Sequence, residues 1–180
     1  MTRTWLITWT TYGTWLPGDA RGFVSEVRDD AGKKVIHNQY GTACDQGNPA
    51  LKAAMAELLD GEPTWLSREQ AEAVGGQIRE TATYRNWRLM AVAVMANHAH
   101  VLVRTPEAVD EDAILRDLKA YASRALNRLS GKKTAGRWWT DRGSTRRKEG
   151  ERAIRAAFEY VQNQPGALYV WVDGGSLADL

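Results

Sequence analysis

The chain has 180 residues, 43% of them apolar, with 24 Lys/Arg against 22 Asp/Glu. That length supports one well-buried domain, and with no long apolar run and no charged-then-apolar start the chain reads as soluble and intracellular, cytoplasmic and without a membrane segment. The single cysteine, Cys44, excludes an internal disulfide and a cysteine-rich zinc site, and its neighbours Gly41-Thr42-Ala43 and Asp45-Gln46-Gly47 offer no histidine for a nucleophilic role.

Thr4 to Thr10 sets Trp5, Ile7 and Trp9 against Leu6, Thr8 and Thr10, a period of two that predicts a first strand ending at Tyr12-Gly13. Turn-rich sequence follows, an irregular insertion at about 17–65 with a short β-ribbon around Lys33–Ile36. Within it, residues 49–60 carry a helical pattern begun by Pro49 and ended by Gly61. Ser67 and Gln70 form a capping box for a helix to about Tyr84, weakened by Gly75-Gly76. Arg88–Met95 is apolar on both faces, as in a central strand. Asn97 then turns the chain into a strand over His98–Arg104, and the short spacing requires an antiparallel hairpin. A helix from about Asp110 to Leu129 repeats Leu115, Leu118, Ala122, Ala125, Leu126 and Leu129. A strand over Arg137–Arg146, a helix from Gly150 to about Gln164 and an apolar run at Leu168–Val172 complete the chain. The order makes two split β-α-β halves in one domain spanning 1–180. The predicted class is α+β, a ferredoxin-like antiparallel sheet with helices packed on one face.

The charge is uneven. Residues 1–115 carry 11 bases and 15 acids, 116–155 carry 13 and 4, and 156–180 carry no base and 3 acids. The basic stretch contains Lys119, Arg124, Arg137-Trp138-Trp139, Arg142, Arg146, Arg147 and Lys148. A charge run is usually a solvated face, but aromatics interleaved with guanidinium groups suit single-stranded nucleic acid, whose bases stack while its phosphates take the cations.

Two of the three histidines, His98 and His100, stand at i and i+2 of a strand and therefore project together. The spacing alone admits a metal-binding pair or two satisfied core histidines. On the last helix Tyr160 and Gln164 are four residues apart, with Tyr160 bordering the stripe Ile154, Ala157, Phe158 and Val161. Alone these would be a core-edge tyrosine and a polar helix end. Beside the histidines they make a site in which two imidazoles and an amide oxygen could hold a divalent cation. Tyr121, the competing nucleophile, flanks an apolar stripe and reads as core; Tyr84 and Tyr169 lie outside the pattern.

Asn97-His98-Ala99-His100-Val101-Leu102-Val103, Glu159-Tyr160-Val161-Gln162-Asn163-Gln164-Pro165 and the opening Trp9–Asp19 together resemble the single-tyrosine HUH transposases. These are the IS200/IS605-like enzymes and their domesticated relatives, the REP-associated tyrosine transposases. The resemblance runs from residue 5 to about 166. It implies an HUH-endonuclease fold, His98, His100 and Gln164 as ligands of Mg²⁺ or Mn²⁺, and Tyr160 as nucleophile toward single-stranded or hairpin DNA through a 5′-phosphotyrosine. It further implies a nucleoid-associated monomer or homodimer. The family's bulky middle residue of the histidine motif is Ala99 here, and its frequent proline before the asparagine is Ala96. A domesticated relative that binds DNA hairpins without cutting is the alternative. A metal-dependent hydrolase is disfavoured, because Val101-Leu102-Val103 supplies none of the carboxylates such a dyad would need.

Overall fold

Alternation of large apolar and threonine side chains makes the first strand, β1 (Thr2–Thr10), the spine of the sheet, with Trp5, Ile7 and Trp9 on one face, all buried. The structure is a computed structural model that describes residues 1–21, 27–28, 34–35, 46–131 and 137–174. Cys44 lies outside them. Chain contacts divide it into two units, one of residues 1–12 with 64–180 and one of residues 13–63.

The second unit runs from Gly13 to Pro63. It holds the two-residue strands β2 (Val27–Arg28) and β3 (Lys34–Val35), paired antiparallel, and helix α1 (Pro49–Glu57). Asn48 caps α1, its Oδ1 accepting from Leu51 N at 3.0 Å, and Pro49 fills the first turn, where no N–H is needed. Gly18 has φ +91°, and a Cβ there would run into the Asn48 carbonyl and Lys52 N, so the chain reaches α1 only through glycine. Next to it the buried Asp19 takes Arg21 at 2.7 Å and Lys52 at 3.0 Å, and the Arg21 hydrogen bond holds its carboxyl far below the usual range.

The first unit is built on β1, α2 (Arg68–Tyr84), β4 (Arg88–Val94), β5 (His98–Pro106), α3 (Glu111–Ser130), β6 (Ser144–Lys148), α4 (Gly150–Gln162) and β7 (Tyr169–Val172). The strand order is β6-β1-β5-β4-β7, every pairing antiparallel. With β7 set aside, this is the ferredoxin-like order of two interleaved β-α-β halves. The capping box at Ser67 and Gln70 is formed by both of its bonds, and Asp110 caps α3. Gly75, in the middle of α2, leaves no room for a Cβ beside the Tyr169 ring, so the glycine that weakens the helix lets β7 dock on it. β4 carries a bulge between Leu89 and Ala91, which turns both Met90 and Ala91 to one face.

Three expectations change. Helices do not pack on one face: α2 and α3 cover the face of Trp5, Ile7, Trp9, Val92, Val94, Ala99, Val101 and Val103, whereas α4 covers the other, against Met90, Ala91, Ala93 and Leu102. The sequence of β4, apolar on both faces, already asked for this. The strand expected at Arg137–Arg146 begins only at Ser144; residues 137–143 are irregular, joined by an isolated bridge between Trp139 and Thr11, just past the end of β1, and by a hydrogen bond from Thr140 N to the Thr10 carbonyl at 3.1 Å. Leu129, counted with the α3 stripe, is exposed.

Candidate active site

The face opposite α2 and α3 carries both histidines of the motif. Along β5 the side chains alternate, so His98 and His100 share the face of Leu102 while Ala99, Val101 and Val103 enter the α2–α3 core. The two imidazoles lie edge to face, centroids 4.9 Å apart. His98 donates from Nδ1 to Asn97 Oδ1 at 2.6 Å, and His100 Nδ1 lies 2.7 Å from Thr8 Oγ1, Thr8 being its partner in the β1–β5 register.

α4 brings Tyr160 onto this pair. Ile154, Ala157, Phe158 and Val161 are buried against the sheet, which leaves Tyr160 at the edge of the stripe, 49% exposed. Its hydroxyl is 3.3 Å from His100 Nε2 and the two rings are 5.0 Å apart. His100 is 5% exposed, and burial, followed by repulsion from His98, pushes its pKa down to about 4. At neutral pH it is therefore an uncharged imidazole, the form that accepts a hydrogen bond or ligates a cation.

α4 ends at Gln162, so Gln164 lies past the helix rather than one turn above Tyr160 on it. Its Nε2 donates to the Tyr160 carbonyl at 2.9 Å, which leaves the amide oxygen, the atom suited to a hard cation. Among the described residues no cluster of three or more His, Cys, Asp or Glu could hold a metal. The donor set that fits a cation is two imidazoles whose Nδ1 atoms are already engaged by oxygens, with an amide oxygen and water.

A family sequence profile described as "Transposase IS200 like" matches residues 62–164, more than half of the chain, including both histidines, Tyr160 and Gln164. The chain belongs to the IS200-like transposase family. Two solved structures are similar at 15% identity and a TM-score of 0.47: a REP-associated tyrosine transposase bound to a REP hairpin, and a candidate transposase from Deinococcus radiodurans R1. The alignment covers 89% of this chain and 64% of the first, and 91% of this chain and 92% of the second. No curated protein matches the sequence.

The basic residues of this family member separate into faces that the sequence did not distinguish. In the β1–β6 register Arg146 stands opposite Leu6 and Lys148 opposite Thr4, whereas Arg147 stands opposite Trp5. Arg146 and Lys148 therefore share the histidine face and Arg147 points away, where it pairs with Glu149 at 3.0 Å. Arg104, which sequence reasoning passed over, stands on β5 opposite the same Thr4 and donates to its Oγ1 at 3.1 Å. The signal was available, since Arg104 is an even step from His98 and His100 along one strand.

The paired tryptophans also part. Trp139 is 7% exposed, edge-on to Trp9 at 5.9 Å, and its indole donates to Ser123 Oγ at 2.9 Å. It is a core residue and offers no stacking surface. Trp138 is half-buried, its indole donating to Asn127 Oδ1 at 2.7 Å, at the wall of a cavity of about 340 Å³ that Arg137 and Asp141 also line. Lys119 is turned inward, donating to the carbonyls of Thr140 and Arg142, and burial lowers its pKa. Arg124 sits over the Tyr121 ring at 4.8 Å. Arg137 and Arg142 are exposed. Among the described residues no helix is long and apolar enough to cross a membrane.

Proposed function

We propose that this protein cleaves and rejoins single-stranded or hairpin DNA through Tyr160. The observation that carries the reading is the Tyr160 hydroxyl 3.3 Å from His100 Nε2, beside His98 on the same face, half open to solvent. A phenol with a pKa near ~10 is a weak nucleophile at neutral pH and needs the phosphodiester polarised. His98, His100 and the Gln164 amide oxygen would hold Mg²⁺ or Mn²⁺, which when bound supplies Lewis-acid polarisation of the phosphate oxygens. Tyr160 Oη bonds to phosphorus as the bond to the 3′-oxygen breaks; the phenolic proton passes to water and the departing 3′-oxygen takes one up. The products are a 5′-phosphotyrosyl enzyme and a free 3′-OH. A 3′-OH attacking that phosphotyrosine reverses the step and joins new ends, so bond count is conserved and no nucleotide triphosphate is consumed.

The chain's own residues set the geometry. The α4 stripe fixes the ring of Tyr160 over the sheet, and the basic row of Arg104, Arg146 and Lys148 runs from the site along the histidine face. Strand rise places the Arg104–Thr4–Lys148 row roughly 13 Å from His100, a span of about two nucleotides on a path that phosphates could follow. With a hairpin oligonucleotide and Mn²⁺, wild-type protein should give a denaturant-stable adduct whose peptide mass places the nucleotide on Tyr160, and Tyr160→Phe should bind the DNA yet give none. An adduct on Tyr121 would move the nucleophile, and wild-type binding with no adduct would leave a hairpin-binding protein that does not cut.

A further inference from the structure

Resting on that reading of the histidine pair, we propose that Thr8 is a positioning residue that locks His100 in the Nδ1–H tautomer, so that Nε2 presents its lone pair toward Tyr160 and the cation position. A neutral imidazole carries one proton, and which nitrogen holds it is set by the partner of the other. His100 has a partner on each side: Thr8 Oγ1 is 2.7 Å from Nδ1 and Tyr160 Oη is 3.3 Å from Nε2. The shorter contact is with Thr8, and both residues are held by the sheet, since Thr8 and His100 stand opposite each other in the β1–β5 ladder. A threonine hydroxyl can donate or accept, so the pair could in principle settle either way. His98 indicates which. Its Nδ1 faces Asn97 Oδ1 at 2.6 Å, and an amide oxygen only accepts, so His98 carries its proton on Nδ1 and its lone pair on Nε2. Two adjacent imidazoles can serve one cation through equivalent atoms only if His100 does the same, with Thr8 Oγ1 as the acceptor. Thr8 touches neither DNA nor cation in this role; it acts through His100.

Thr8 lies outside residues 62–164 and belongs to β1, so the histidine motif depends on a strand remote in sequence for its tautomer. The test compares wild type, Thr8→Val, which keeps shape and removes the hydroxyl, and Thr8→Ser, which keeps the hydroxyl. The first readout is the ¹⁵N signature of the His100 ring in metal-free protein at neutral pH; the second is Mn²⁺ affinity by calorimetry. Wild type and Thr8→Ser should show a protonated Nδ1 and a bare Nε2. Thr8→Val should shift toward Nε2–H and lose about tenfold or more in Mn²⁺ affinity, with Thr8→Ser close to wild type. The proposal is overturned if wild-type His100 carries its proton on Nε2, or if Thr8→Val keeps the wild-type tautomer and binds Mn²⁺ within about twofold of wild type. Neither readout requires cleavage. A wild-type protein that never forms the Tyr160 adduct would refute the proposed function while leaving the tautomer result to stand or fall by itself.

Discussion

Strand alternation separates two adjacent arginines that sequence alone treats as one basic patch. Arg146 stands opposite Leu6 on the histidine face, whereas Arg147 stands opposite Trp5 on the other and already faces Glu149 at 3.0 Å. If single-stranded DNA lies along the histidine face, Arg146→Ala removes one phosphate contact and Arg147→Ala removes none. Each contact on a single strand contributes about 0.7 to the log-log slope of affinity against salt. Over a fourfold rise in salt, one contact is therefore worth a factor of about 2.6, because the wild type loses that much affinity which the variant no longer has to lose. Fluorescence anisotropy with one oligonucleotide between 50 and 200 mM salt, on the order of the range where such slopes are linear, should show the slope of Arg146→Ala flattened by about 0.7 and that of Arg147→Ala unchanged. Lys148→Ala, opposite Thr4 on the same face as Arg146, should behave like Arg146→Ala. Equal flattening in Arg146→Ala and Arg147→Ala would refute a DNA path confined to one face of β6, and a slope unchanged in all three would place the binding surface elsewhere.

His100 should make the metal-free protein acid-sensitive. Its pKa is about 4 in the fold against about 6.5 in the unfolded chain, so between those values the unfolded state binds the extra proton and stability falls as pH falls. The loss approaches about 3 kcal/mol at pH 4, is absent above pH 6.5, and should be missing from His100→Asn; parallel pH profiles of urea midpoints in the two proteins would contradict it. Trp139→Ala should cost about 3–5 kcal/mol, as truncation of a buried tryptophan does, whereas Trp138→Ala should cost less and be the tryptophan whose removal abolishes any fluorescence change on adding single-stranded DNA. Thermal denaturation and a titration decide both, and a DNA-dependent signal surviving in Trp138→Ala would count against stacking there.

Local rules made much of this chain legible before any contact was known. The alternation of Trp5, Ile7 and Trp9, the Ser67–Gln70 capping box and the α3 stripe each express one residue's relation to neighbours within a few positions, and each element formed where its pattern stood. His98 and His100 share a face because side chains on a strand repeat every two residues, and Tyr160 borders a stripe because a helix repeats every 3.6. Tertiary structure decided the relations those periods cannot carry. Which face α4 would cover depended on the second apolar face of β4 and on the bulge that turns Met90 and Ala91 together, and only that placement puts Tyr160 over His100. The partners of the site, Thr8 and Arg104, come from cross-strand register, which pairs residues 92 and 100 positions apart in the sequence. The same register parted Arg146 from Arg147, and packing on Trp9 took Trp139 out of reach of any ligand. Periodicity fixes the side of its own element to which a residue belongs; only the packed sheet determines what lies across from it.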